Sequence, residues 1–211
     1  MSKLLLASIV NVLILSVTLQ AQTKPTEPPS AKPDSARSDL SAAQKYFTDV
    51  ELLNQDGEKV RFYTDLLQGR TVVIIPFFTT CTAVCPPMNA TMARLQTELG
   101  ERVGKQIHLI SISVDPVTDT PARLKEYATK FHAKPGWSFI SGKKENVDWA
   151  LYKLGQYVEN KNDHSVVMII GNEATGLWKK AYALSRVGEL VTIVEEVAND
   201  KQIKHNEGSK Q

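Results

Sequence analysis

Cysteine is nearly absent from this chain. Cys81 and Cys85 are the only two among 211 residues, which excludes a disulfide linking distant segments. Charge of one sign is also lacking. With Lys3 set aside as part of the leader described below, 24 basic residues face 23 acidic ones. That balance gives no support for nucleic-acid binding, which usually shows a basic patch or stripe. The three tryptophans, Trp137, Trp149 and Trp178, are scattered and make no cofactor box, and no internal repeat is visible. Long apolar runs are missing except at the start, where Lys3 precedes sixteen uncharged residues, Leu4 to Leu19, followed by Gln20-Ala21-Gln22.

That opening has the basic, apolar and small-residue order of an export signal. Its apolar part is slightly short for a membrane span, which needs about 17–25 residues. Residues 1–21 are therefore expected to be a cleaved signal peptide or a retained membrane anchor. In both cases the rest of the chain is exported, to the periplasm or the outer face of the membrane. No cysteine lies near the expected cleavage point to carry a lipid. Residues 22–39 hold four of the ten prolines and read as an extended linker. Residues 40–200 suit one domain of common size, and 201–211 form a polar tail.

Within the domain, Asn54 to Gly57 is turn chemistry inside an apolar-rich stretch from Phe47 to Val60, so a hairpin is expected. Tyr63–Leu67 suggests a short helical turn. The unbroken run from Thr71 to Phe78 reads as a strand covered on both faces. Pro86-Pro87 suit a helix's first turn, with Met88, Met92, Leu95 and Leu99 as its buried stripe and Gly100 or Gly104 as its end. A second strand spans Ile107–Val114. Thr120 and Pro121 open a helix carrying Leu124, Tyr127, Ala128 and Phe131 on one side. A short strand (Trp137–Ile140), a helix (Asn146–Leu154), a polar loop (Glu159–His164) and a hairpin (Ser165–Ile170, Leu177–Tyr182) follow. Ser185 is expected to cap a last helix to about Ala198, with Leu190, Ile193, Val194 and Val197 inward. This order predicts an α/β sandwich with a central mixed sheet flanked by helices. The dithiol at a strand–helix junction narrows it to a thioredoxin-like arrangement.

Three roles compete for the cysteines. A structural disulfide would close a loop of a few residues and gain little from chain entropy. A redox role fits, because a thiolate near a helix N-terminus is stabilised and reactive. Against a general reductase, three residues rather than two separate the cysteines. The proline that usually precedes the late central strand in such enzymes is also missing, since none follows Pro135. A metal site is the third role. Two thiolates one helical turn apart are a soft pair that favours Cu(I), and zinc would need a fourth ligand.

The third copper ligand would have to be a histidine. His108 lies within a strand and reads as a packed residue, His132 ends a helix, and His205 lies in the tail. His164 sits in a polar loop before a strand whose start should face the end of the dithiol strand. It is the expected ligand, with Asp163 as the group that orients its imidazole. Met88 and Met92 are soft atoms near the site but have core spacing. Asp115, Asp119 and Thr120 are explained by an Asp-Pro turn and a helix cap.

Three stretches, Thr80-Cys81-Thr82-Ala83-Val84-Cys85-Pro86, Ser113-Val114-Asp115-Pro116-Val117-Thr118-Asp119-Thr120-Pro121 and Asp163-His164-Ser165, together resemble the signatures of the Sco/SenC proteins. The resemblance covers about residues 45–198. It implies a thioredoxin-like fold, copper as Cu(I) and also Cu(II) held by Cys81, Cys85 and His164, and a redox-active pair that forms a disulfide. It further implies delivery of copper to the subunit bearing the binuclear copper centre of cytochrome c oxidase, with thiol reductants as further partners. Some members act on thiols instead, so a thiol–disulfide oxidoreductase is the alternative. The chain departs from many relatives twice. It has no aspartate between the cysteines, where Thr82, Ala83 and Val84 stand. It has Ile170-Gly171-Asn172 where an acidic residue is common.

Overall fold

The computed structural model describes residues 24–28 and 41–201. The expected signal or anchor (1–21), most of the linker and the tail from residue 202, with His205, lie outside the described residues. Lys24–Pro28 has no regular structure, and the Lys24 ammonium lies 5.2 Å from the ring centre of Trp149. Among the described residues, no helix is long and apolar enough to cross a membrane.

A short helix absent from the expectation comes first: α1, Ala42–Phe47, capped by the Ser41 side chain accepting from the Gln44 N–H. The expected hairpin is β1 (Glu51–Asn54) with β2 (Lys59–Arg61). A π-helical turn, Phe62–Leu67, leads into β3 (Thr71–Phe77). Then follow α2 (Cys85–Leu99), β4 (Ile107–Ser113), α3 (Pro121–Lys130), β5 (Trp137–Ser141) and α4 (Lys144–Lys153). The chain closes with β6 (Val167–Asn172), β7 (Leu177–Tyr182) and α5 (Val187–Ala198). Gly100 ends α2 at φ 54°, a conformation that favours glycine. The last helix corrects one expectation. Arg186, not Ser185, precedes it, and Ser185 lies one residue earlier in the turn leaving β7, where its N–H donates to the Tyr182 carbonyl.

One seven-stranded mixed sheet, ordered β2-β1-β5-β4-β3-β6-β7, separates two helical layers. β3, β4 and β5 are parallel, and the other pairings are antiparallel. Val73, Ile75 and Phe77 of β3 pack into a core with α2, α3 and α5, while Val72 and Ile74 pack into a second core with α1 and α4. Strand side chains alternate between faces, so a strand between two helical layers must be apolar throughout. All seven β3 residues are indeed buried.

β3 contains Pro76, which cannot donate to a ladder. Its pairing with β6 stops at Ile74–Ile169, before the proline. The sheet opens at that corner, and the segment before β6 enters beside the end of β3. This geometry brings residue 164 toward the cysteines.

Candidate metal centre

The cysteines sit where β3 hands over to α2. Cys85 is the first residue of α2 and fully buried, while Cys81 lies in the preceding loop and is half-buried. Free N–H groups at a helix start carry partial positive charge, and here they turn toward one sulfur. The Cys85 N–H donates to Cys81 Sγ at 3.4 Å. Burial pushes the Cys81 thiol up, but hydrogen bonds from the Cys85 side chain and from the N–H groups of Cys85, Ala83 and Val84 outweigh it and leave it lowered. Cys85 is pushed strongly up, first by burial and then by its hydrogen bond to Cys81. The two thiols are therefore unequal. Cys81 is the accessible and more acidic thiol, and Cys85 is buried and holds its proton more tightly.

His164 arrives from the loop before β6, with only 7% of its surface exposed. Its Nδ1 lies 3.3 Å from the Ser165 carbonyl oxygen and its Nε2 lies 3.4 Å from Cys85 Sγ. A carbonyl only accepts, so the proton belongs on Nδ1. Nε2 then offers its lone pair to the sulfur side. Burial holds the imidazole below its ordinary pKa, against the opposing carbonyl, and so favours its neutral form. Asp163, expected to orient this ring, is exposed on the preceding turn, and the oxygen at Nδ1 is the Ser165 carbonyl.

The ligand atoms of Cys81, Cys85 and His164 all lie within 4.8 Å of one another. Bonds of about 2.0–2.3 Å around a three-coordinate ion would separate donors by about 3.5–4 Å, so small side-chain movements suffice. Two sulfurs, a neutral imidazole and no carboxylate make a soft set that fits copper better than a hard cation.

The other two described histidines stay apart from this cluster. His108 is half-buried within β4, and His132 is exposed past the end of α3. Met88 and Met92 are fully buried core residues, as their spacing predicted. Thr120 caps α3, and the Asp115 carbonyl closes the expected turn by accepting from the Thr118 and Asp119 N–H groups.

Asp119 is the residue that sequence reasoning undervalued. It is fully buried, and its carboxylate accepts from the Thr79 N–H at 3.1 and 3.3 Å, from the Thr79 hydroxyl, and from the Ser113 hydroxyl at 2.6 Å. A signal existed: Ser111 and Ser113 alternate in a strand that is apolar but for His108, and so share one buried face. Ser111 accepts from the Trp137 indole N–H at 3.1 Å and bonds Asn89 at 3.2 Å, while Asn89 donates to the Cys85 carbonyl at 3.0 Å.

Further contacts tie three loops together. Lys161 pairs with Asp115 at 2.7 Å and lies over the Phe78 ring, which meets the His164 ring edge-on at 5.4 Å.

Comparison with known proteins bears on this arrangement. A family model described as SCO1/SenC matches residues 38–203. The SCO1 protein homolog of Bacillus subtilis is 37% identical over 91 residues, which cover 42% of this chain and 45% of the relative. The matched part is thus less than half of that relative's length. The structure of BsSco, described as a member of the Sco family of cytochrome c oxidase assembly proteins with a disulfide switch, superposes with a TM-score of 0.61 at 25% identity. That alignment covers 74% of this chain and 94% of BsSco. Copper-bound ScoI of Arabidopsis thaliana shares the fold, with a TM-score of 0.60 at 24% identity over 72% of this chain and 98% of that one.

Proposed function

The chain belongs to the SCO1/SenC family, and from that premise we propose that it is an exported copper carrier serving cytochrome c oxidase assembly. Copper is its cargo, bound by Cys81, Cys85 and His164 and passed to the copper-accepting oxidase subunit by ligand exchange. The observation that carries this reading is the convergence of two sulfurs and one imidazole nitrogen within 4.8 Å at a half-open corner of the sheet. Cys81 is the accessible ligand, so an incoming donor meets it first. Cys85 and His164 are buried and hold the ion from behind. Both thiols must lose protons to bind, so loading releases protons and requires the reduced pair. Oxidation to a Cys81–Cys85 disulfide removes two of the three donors, which makes the pair a redox gate in an oxidising compartment.

The inequality of the thiols supports a second reading, a thiol–disulfide oxidoreductase in which Cys81 attacks and Cys85 resolves. Copper per monomer in the reduced wild type, Cys81→Ala and His164→Ala separates the two. One equivalent in the wild type and its loss in both variants is the expected result. Equal copper in all three would overturn the carrier reading. Disulfide reduction that persists in His164→Ala without copper would favour the enzyme.

A further inference from the structure

We propose that Asp119 is a positioning residue for the dithiol: from inside the core it clamps Thr79 and so fixes the loop that carries Cys81. The inference rests on the carrier reading for its copper arm alone.

Burying a carboxylate is costly unless it is well bonded, so a fully buried one needs a reason. The start of α3 does not supply it, because Thr120 caps that helix and the Asp115 carbonyl closes the turn. Every partner of Asp119 in the described structure is a hydroxyl or a backbone N–H. Ser113 at the end of β4 holds it from one side, and Thr79 takes the rest. Thr79 is the second residue before Cys81, whose own N–H bonds Phe78 within the same loop. The hydrogen bonds to the Cys81 sulfur come from Ala83, Val84 and Cys85, toward the loop's far end. Asp119 is therefore the side-chain tie between the near end of this loop and the β4–α3 side of the fold, beside the backbone bond from the Val114 N–H to the Phe77 carbonyl. Without it, the Cys81 sulfur must find the Cys85–His164 pair from a wider set of loop conformations. Preorganised donors bind more tightly because less ordering remains to be done. The same argument holds for closure of the Cys81–Cys85 disulfide.

Two measurements on the full chain test the clamp. One is Cu(I) affinity of the reduced protein against a chromophoric chelator. The other is the metal-free equilibrium with oxidised dithiothreitol, in which the two thiols form one disulfide and dithiothreitol takes up two electrons and two protons. Thr79→Val keeps the shape of the side chain and removes the hydroxyl donor. It is expected to weaken copper binding about tenfold, to lower the oxidation equilibrium constant several-fold and, by leaving a buried carboxylate short of a donor, to lower the melting temperature as well. Asp119→Asn is expected to do at least as much, and the double variant little more than Asp119→Asn alone, because the two act through one contact.

Val197→Ala, in α5, is the control for general destabilisation. It should lower the melting temperature and leave both readouts at wild-type values. Wild-type affinity and redox equilibrium in folded Thr79→Val would overturn the proposal, as would an equal shift in Val197→Ala. If Asp119→Asn does not fold, Thr79→Val decides. If the wild type takes no copper, the carrier reading fails and the redox equilibrium tests the clamp by itself.

Discussion

The two ends of the sheet are held by different means. Where β3 and β4 finish, several polar groups are buried and each has one or two specific partners: Asp119 with Thr79 and Ser113, Ser111 with Asn89 and Trp137, and His164 with the Ser165 carbonyl and Cys85. Around the strand starts, the charged groups are at the surface. Arg61 pairs with Asp65 at 2.7 Å, Arg102 with Glu195 at 2.8 Å and Lys105 with Glu101 at 3.0 Å. Exposed pairs are screened and contribute little each, whereas a buried group stripped of its partner costs its full desolvation. The site end therefore has little redundancy in its polar contacts, and the far end has much.

Substitutions should expose that contrast. The largest effect is expected from Cys85→Ala, which removes a buried donor. Copper affinity should fall by more than about a hundredfold, beyond the range usual for groups that only support a ligand. A chelator competition would show it, and retention of wild-type affinity would break the comparison. Next comes packing at the far end. A Cβ at Gly171, paired with Val72 near the start of β3, would lie 2.1 Å from the Trp178 ring. Gly171→Ala should cost about 1–3 kcal/mol by overpacking, read from denaturant unfolding, with copper stoichiometry unchanged. Tolerance at that end thus extends to charge and not to volume.

Asn89→Ala should cost about 1–3 kcal/mol, because it leaves the Cys85 carbonyl and the Ser111 hydroxyl short of a partner. A cost no greater than that of an exposed substitution would count against the contrast. Arg61→Ala should have the smallest effect. The hydrogen bond from Arg61 leads the causes that hold the Asp65 carboxyl below its ordinary value of 3.8. A depressed carboxylate contributes stability above its unfolded pKa and loses it as the pH falls through the folded one. The variant should accordingly differ slightly from wild type at neutral pH and converge with it in acid.

Much of this fold is legible from local pattern. The apolar run of β3, the stripe of α2 and the Thr120-Pro121 start of α3 are each set by neighbouring residues, and each lies where periodicity and capping place it. The helix Ala42–Phe47 was missed because six residues carry too little periodicity to register. Asp119 was read as part of a turn because its burial depends on a partner forty positions away. Asp163 looked like the orienting group because it adjoins His164, yet the chain turns it outward and a backbone carbonyl takes the place.

The sequence by itself determined which chemistry was available: two sulfurs, four imidazoles, a strand–helix junction to lower one thiol, and the family signatures. The chain order also singled out His164 among them, while tertiary structure decided how near it comes to the sulfurs, which of its nitrogens is free, and which thiol is exposed. Those outcomes depend on the register between β3 and β6 and on how Pro76 ends it. Such pairings join residues far apart in the chain, and no local pattern of side chains encodes the distance between them.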